Sequence, residues 1–385
     1  MIRHRSITAL LGFLMILGSN SCSTLATPDQ AASIVLLPAT PAVAQFERAL
    51  APVPIQLPRD HGPHLNFQTE WWYYTGNLQT ENGRRFGFQF TIFRRGLSPG
   101  TVPRSAGFAA NQVYFAHIAL TDIEAGKHMA AERFSRAADG LAGGSGEPFH
   151  VWLEDWSVES LNADGSAVRV IASDSRFSLE LMLEAQKPIV LHGDQGLSAK
   201  SDLPGNASYY LSYTRMQTTG KVDVGDRSFE VDGSSWFDHE WSTSVLDEGD
   251  VGWDWFGLQL NDGSELMLYW IRRSDGSIEP VSGGTLVHAD GRSTPLDRES
   301  IRISVEQTWT SPHSGATYPA AWQVDLPAHD LSLQIRPELS DQELQVSFTY
   351  WEGAVRITGS SAGHPIEGQG YVELTGYDAS MGGVF

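Results

Sequence analysis

The densest run of groups able to do chemistry is Ser234-Ser235-Trp236-Phe237-Asp238-His239-Glu240-Trp241, in which two carboxylates bracket an imidazole among large aromatics. Along a strand, side chains alternate between faces, so Asp238 and Glu240 share one face and His239 and Trp241 the other. If His239 and Trp241 face a cavity, a proton donor stands beside an aromatic wall. An indole face stabilises a carbocation by about 2 kcal/mol or more when desolvated, and an acid of raised pKa can protonate an alkene. The same residues also suit a domain junction, where buried Asp, His and Glu satisfy backbone groups and one another.

A second cluster is Asp60-His61-Gly62-Pro63-His64, followed by Glu70-Trp71-Trp72-Tyr73-Tyr74. His61, His64 and Glu70 could ligate a metal, but the spacing equally fits a loop entering a hairpin, and the expectation is no metal and no cofactor. Trp71 and Tyr73 share one strand face, Trp72 and Tyr74 the other, so one pair can fill a core while the other lines a cavity or meets a second domain. In the third cluster, Trp253-Asp254-Trp255-Phe256, Asp254 opposes the two indoles and is a candidate acid or a solvent-facing Asp. The expected catalytic set is Asp238, His239, Trp241 and Asp254. The expected ligand-binding set is His64, Glu70, Trp71, Tyr73, Trp236, Trp253 and Trp255. His117 and His192 read as buried or strand-end histidines. No Gly-rich phosphate loop, Gly-x-Ser-x-Gly elbow or two-histidine zinc helix is present, which disfavours nucleotide hydrolysis, the common esterase fold and zincin proteolysis.

The elements that must position these groups are strands. Past Pro58 the chain consists of short alternating segments broken by Gly, Asn and Asp, a β pattern. Residues 71–78 and 86–93 flank Asn82-Gly83, a hairpin signal, and Asp164-Gly165, Asp262-Gly263, Asp275-Gly276 and Asp290-Gly291 are others. Residues 127–138 read as the one helix, with Met129, Phe134 and Ala137 near one face and Gly140 after its end. A faint repeat relates Trp71, Tyr73, Tyr74, Gly76, Leu78 and Arg94-Arg95 to Trp253, Trp255, Phe256, Gly257, Leu260 and Arg272-Arg273. Asp60-His61 precedes the first copy and Asp238-His239 the second. This predicts two related antiparallel β domains, 54–232 and 233–385, each a sandwich or a barrel.

Arg3 and Arg5 precede an apolar run over 9–17, the layout of an export signal over 1–21. The single cysteine, Cys22, stands where a lipoprotein leader carries its lipid, although Ser19 replaces the usual Leu. An Ala-, Pro- and Thr-rich tether over 22–53 would follow. No later segment reaches the roughly 20 apolar residues of a membrane helix. The 26 Lys+Arg and 46 Asp+Glu of the 385-residue chain leave a charge of −20, which argues against nucleic acid or an anionic membrane surface as partner. One cysteine also excludes a disulfide framework and multi-thiolate metal sites.

Together, Asp60-His61-Gly62 through Glu70-Trp71-Trp72-Tyr73, the strand over 87–95, the segment over 233–241, Tyr350-Trp351-Glu352-Gly353-Ala354 and Gly370-Tyr371-Val372-Glu373-Leu374-Thr375-Gly376-Tyr377 resemble the acyclic carotenoid 1,2-hydratase and AttH-like family. The resemblance covers nearly everything from Asp60 to Tyr377. It implies an all-β fold of two tandem lipocalin-like antiparallel barrels with a few short helices and a hydrophobic pocket near their junction. It also implies a role in protonation for Asp238, His239 and Trp241. On localisation, the leading expectation is an exported envelope lipoprotein, periplasmic or anchored through Cys22, that binds a lipid or isoprenoid and is associated with a transporter component. The alternative is a cofactor-independent hydratase or isomerase that protonates an isoprenoid double bond.

Overall fold

The computed structural model of the protein describes residues 46–100, 109–244 and 246–382. The export signal, Cys22 and most of the expected tether lie outside the described residues. Residues 46–51 are not free chain: Phe46 and Ala49 are buried, Glu47 N donates to Asn66 O, and the Tyr209 hydroxyl donates to Ala51 O. Two apolar side chains with a surface to fill outweigh the Pro and Ala composition that suggests a tether.

Among the described residues the regular structure is strands, joined by loops and three short 3-10 turns. They form two antiparallel sheets, one 13-stranded and one 10-stranded, each curled into a barrel. The first starts at an edge with Lys127–Arg136, then Gln112–Asp122, Arg85–Gly96, Thr69–Gln79, Arg227–Ser242 and Ala207–Val224. The second repeats the order from its own edge with Ser293–Asp297, Gly283–Val287, Glu265–Arg273, Asp250–Leu260, His364–Leu374 and Thr349–Ser361. Each repeated aromatic strand, Thr69–Gln79 or Asp250–Leu260, is therefore fourth in its sheet, between its hairpin partner and a late strand. The turns read from sequence hold: Gly83 and Gly263 adopt φ of 81° and 84°, the left-handed conformation that glycine takes without a Cβ clash.

Two expectations are corrected. Residues 127–138 form a strand, Lys127–Arg136, paired with Gln112–Asp122 in the register Ile118↔Ala131. Its Lys, Met, Ala, Glu and Arg favour helix, but ladder pairing along a neighbour overrides intrinsic propensity. The first sheet also keeps Arg227–Ser242 whole, between Thr69–Gln79 and Ala207–Val224. A boundary at 232/233 would cut this strand; the chain passes to the second sheet between Ser242 and Asp250.

Each barrel has its own core. Trp72, Tyr74, Phe88, Phe90, Leu211 and Phe237 belong to the first, and Phe256, Leu258, Leu268, Trp322, Val355 and Val372 to the second. A third cluster of Tyr73, Tyr210, Trp236, Trp255, Met267, Ala354 and Tyr371 joins the outer faces of the sheets. Strands at this seam are buried on both sides, so Arg85–Gly96 and Asp250–Leu260 read as near-continuous apolar runs. The seam is close-packed at Gly87, where an added Cβ would come within 2.6 Å of Ala354 Cβ. Gly87→Leu should therefore lower stability by about 1–3 kcal/mol through overpacking, read from the urea midpoint; a midpoint equal to wild type would mean the sheets are not held this closely.

Candidate functional site

Register decides where the chemical groups of residues 234–241 go. Opposite Thr69–Gln79 the pairs are Trp241↔Glu70, Glu240↔Trp71, His239↔Trp72 and Asp238↔Tyr73. On the other side, Ala207–Val224 pairs Tyr210 with Glu240 and Ser212 with Asp238. Alternation then collects Glu70, Trp72, His239 and Trp241 inside the first barrel. It collects Trp71, Tyr73, Tyr210, Ser212, Asp238 and Glu240 on the face toward the second sheet.

The inner group is an ion network centred on Glu70. Its fully buried carboxylate accepts from Arg94 Nε at 2.7 Å, His64 Nδ1 at 2.7 Å and His239 Nε2 at 2.9 Å. Burial works to raise its pKa, but the Arg94 charge, His64 and the hydrogen bonds hold it below the ordinary carboxylate range. Burial likewise depresses His64, yet Glu70 and Asp60 leave its pKa raised. The His64 ring stacks on Trp241 at 3.7 Å between centroids. His64, Glu70 and His239 each offer a ligand atom within 4.8 Å of the others, two imidazoles and a carboxylate that suit a divalent transition metal. Arg94 and the direct hydrogen bonds already neutralise and satisfy Glu70, so the set is closed as a salt-bridge network. His61 does not join it. It is buried against Phe149, Tyr213 and Phe237, and burial, with His239 adding a smaller push, lowers its pKa to about 3.

The outer group faces a cavity between the sheets that opens to solvent. Trp71, Tyr73, Phe93, Trp253, Trp255 and Tyr269 supply its aromatic walls, together with Tyr210. Asp238 is in the wall, buried, and accepts from Tyr210 Oη at 2.7 Å, Trp236 Nε1 at 2.6 Å and the Ser212 hydroxyl. Desolvation outweighs these three donors and brings its pKa up to about 7. Behind Ser212, His192 Nε2 lies 2.8 Å from the serine oxygen and Nδ1 lies 2.9 Å from Thr285 Oγ1. Because Ser212 donates to Asp238, its oxygen accepts from His192 Nε2–H, and Thr285 closes the chain on Nδ1. His192, read from sequence as merely buried, thus orients the hydroxyl that holds Asp238.

The second sheet adds two acids to the same cavity. Glu373 accepts from Trp253 Nε1 at 2.9 Å, and burial raises its pKa to about 7. Glu352 accepts from the Tyr73 hydroxyl at 3.0 Å, and burial lifts it well above its ordinary value. The only cation lining the cavity among the described residues, Lys200, lies 3.0 Å from Glu240 Oε2, over the rings of Tyr210 and Tyr269. The site can therefore hold a mainly apolar molecule against carboxyl groups poised to exchange protons near neutrality.

Of the expected site residues, Trp71, Tyr73, Asp238, Trp253 and Trp255 line the cavity. Trp236 stands behind it as a donor to Asp238. His64, Glu70, His239 and Trp241 lie on the opposite face of the first sheet, in the barrel interior. Asp254 also points away from the cavity, bound to Arg272 Nε at 2.9 Å and the Tyr377 hydroxyl at 3.0 Å, so it is neither solvent-facing nor beside a ligand. Glu352, Glu373, Lys200 and Tyr210 were not expected. The available signal was a lone carboxylate inside an apolar strand, Tyr350-Trp351-Glu352 and Tyr371-Val372-Glu373.

A family model described as AttH-like matches residues 48–377. A crystal structure from Nitrosomonas europaea assigned to AttH is 35% identical, with a TM-score of 0.76, covering 85% of this chain and 99% of its own. The crystal structure of kievitone hydratase from Nectria haematococca has a TM-score of 0.68 at 15% identity, covering 87% of this chain and 97% of its own, a likeness of fold. The dehydratase asqC of Emericella nidulans is 25% identical over 224 residues, 55% of this chain. The match spans 62% of that relative's length.

The Glu70 network sets a stability expectation with a definite sign. A carboxylate held low in the folded state contributes above its unfolded value of about 4.5 and loses that contribution as pH falls. Glu70→Ala should cost about 3–5 kcal/mol at pH 7 by leaving Arg94 buried without a counter-charge, and the difference from wild type should shrink as pH drops below 4.5. Chemical denaturation at several pH values checks this; a pH-independent difference would contradict the assignment.

Proposed function

The chain belongs to the AttH-like family, and on that footing we propose that it is a lyase that adds water across a carbon–carbon double bond of a largely apolar molecule held between its sheets, or eliminates water from the alcohol to form that bond. The observation that carries this reading is Asp238: a buried carboxyl in an aromatic cavity, with its pKa near 7. Such a group is part protonated at neutral pH and can give a proton in one direction and take it in the other. Glu373, in the same cavity and likewise near 7, is its complement.

In the hydration direction, the Asp238 carboxyl gives its proton to one alkene carbon, the π pair forming the new C–H bond. Water bonds to the other carbon, and the Glu373 carboxylate takes the proton that water releases. The sum is one water added, with Asp238 left as carboxylate and Glu373 as acid. A proton returned from Glu373 to Asp238 resets the pair. Dehydration is the reverse. The walls of Trp71, Trp253 and Trp255 exclude bulk water and hold the substrate's carbon skeleton by apolar contact.

The carrier reading drawn from the leader needs only an apolar container. Two acids within one cavity, both titrating near neutrality, are better explained by chemistry than by carriage, since an uncompensated buried carboxyl weakens apolar binding and the fold. The names of the two relatives, a hydratase and a dehydratase, support the same reading in its two directions. His239 and Trp241 enter as supports: they fix the strand that carries Asp238 from its other face.

The test is to incubate the protein with a panel of isoprenoid and conjugated alkenes in ¹⁸O-water and follow the mass gain of one labelled water. Wild type should convert at least one member, with a rate greatest near pH 7 that falls at higher pH as Asp238 loses its proton and at lower pH as the Glu373 carboxylate gains one. Asp238→Asn should slow it by about 10²–10⁴-fold with circular dichroism unchanged. A folded Asp238→Asn protein with wild-type turnover would refute the role.

A further inference from the structure

Glu352 stands on Thr349–Ser361, is fully buried and lines the cavity. One of its oxygens is committed: Oε2 accepts from the Tyr73 hydroxyl at 3.0 Å. The other, Oε1, is buried and has no hydrogen-bond partner among the described residues. Of the nearby cations, Lys200 is held by Glu240 at 3.0 Å and Arg94 by Glu70 on the opposite face of the sheet. Burial, with Glu373 adding to it, pushes the Glu352 pKa well above the ordinary carboxylate range and so favours its protonated form. Since Tyr73 donates to Oε2, the acid proton belongs on Oε1, a donor with nothing among the described residues to receive it. A buried donor left unmet is costly, and a ligand that supplies the missing acceptor recovers that cost.

The surroundings narrow the acceptor. A carboxylate or phosphate ligand would enter beside the carboxyl groups of Asp238 and Glu373 and meet like charge once they ionise. A bare hydrocarbon would leave Oε1–H unmet. A carbonyl oxygen accepts without bringing a proton of its own or a net charge. A protonated carboxyl in a dry site beside a Tyr hydroxyl is also an arrangement that can hold charge developing on a carbonyl oxygen.

We propose that Glu352 is the anchoring donor of the site, and that the substrate is an α,β-unsaturated carbonyl compound or its β-hydroxy counterpart, with its carbonyl oxygen accepting from Glu352 Oε1–H. This rests on the lyase reading above and names its substrate class. The double bond next to the carbonyl is the one hydrated. Water bonds to the β-carbon, and the π pair shifts toward the carbonyl oxygen, where Glu352 strengthens its hydrogen bond without giving up its proton. The α-carbon then takes the proton of Asp238, while Glu373 receives the one released by water. Atoms and charge balance as in the simpler scheme, and the carbonyl remains in both substrate and product.

The test separates this anchor from turnover. Benzalacetone and 1-phenyl-1-butene share one carbon skeleton and differ at the carbonyl. In equilibrium dialysis the wild-type chain should bind the ketone about tenfold more tightly, the factor that one hydrogen bond between neutral groups is worth. Glu352→Gln, which keeps an N–H donor, should retain most of that preference, and Glu352→Leu should lose it while holding the hydrocarbon as wild type does. Infrared spectra of the ketone bound to wild type, which need no variant, should show the carbonyl stretch below its frequency in an apolar solvent. Equal affinity for the two probes, an unshifted stretch, or an undiminished preference in Glu352→Leu would each overturn the proposal. Asp238→Asn should keep the carbonyl preference while losing turnover, so a failure of the lyase reading and a failure of the anchor give different results.

Discussion

Removing carboxyl groups from water with no cation beside them is the constraint on which this molecule turns. Asp238 and Glu352 are buried and Glu373 is half-buried in the seam between the sheets, and for each of them desolvation is the largest influence on its pKa. The protein meets that cost with neutral donors: Tyr210, Trp236 and Ser212 for Asp238, Tyr73 for Glu352, Trp253 for Glu373. Such donors fix a carboxyl in place, and for Asp238 and Glu373 they leave the proton exchangeable near neutrality, which a paired arginine would not. Glu70 shows the other solution. On the opposite face of the same sheet, Arg94 and two histidines hold it ionised. One strand ladder therefore separates a locked carboxylate from a movable proton by nothing more than side-chain alternation.

The same constraint explains the packing. A seam that desolvates three acids must be covered on both sides, so its strands carry apolar residues on both faces and the aromatic clusters interlock through Tyr73, Tyr210, Trp236 and Trp255. The indole and phenol side chains serve twice there, as apolar wall and as hydrogen-bond donors. Trp255 Nε1 donates to the Tyr210 oxygen at 3.0 Å, so the wall of the second sheet orders a donor to an acid of the first. Neither sheet makes the site alone.

Much of this was legible in local sequence, because alternation and turns are local. The split of Asp238 and Glu240 from His239 and Trp241, the pairing of Trp71 with Tyr73, and the glycine turns follow from spacing alone. Which face meets the cavity does not follow, since both faces of residues 234–241 are rich in aromatics; the family resemblance drew attention to His239 and Trp241, and the cavity lies on the other side. Glu352 and Glu373 come from strands far along the chain that reach the site only when the sheets dock, so no local pattern pairs them with Asp238. The helical composition of 127–138 misleads for the same reason: what decides it is the neighbour Gln112–Asp122. The repeat was legible and is mirrored in strand order, whereas the junction between sheets was not, because the strand Arg227–Ser242 carries the motif that opens the expected second domain while belonging to the first sheet.

The central claim is that desolvation in the seam, rather than a charged partner, sets the proton affinity of Asp238. Infrared or carbon NMR titration of side-chain ¹³C-carboxyl-labelled aspartates reads this directly, with Asp238→Asn identifying the signal. One aspartate should titrate with a midpoint near 7 and vanish from the spectra of the variant. An Asp238 signal already ionised at pH 5 would contradict the account, because the seam would then be wet or its acid paired.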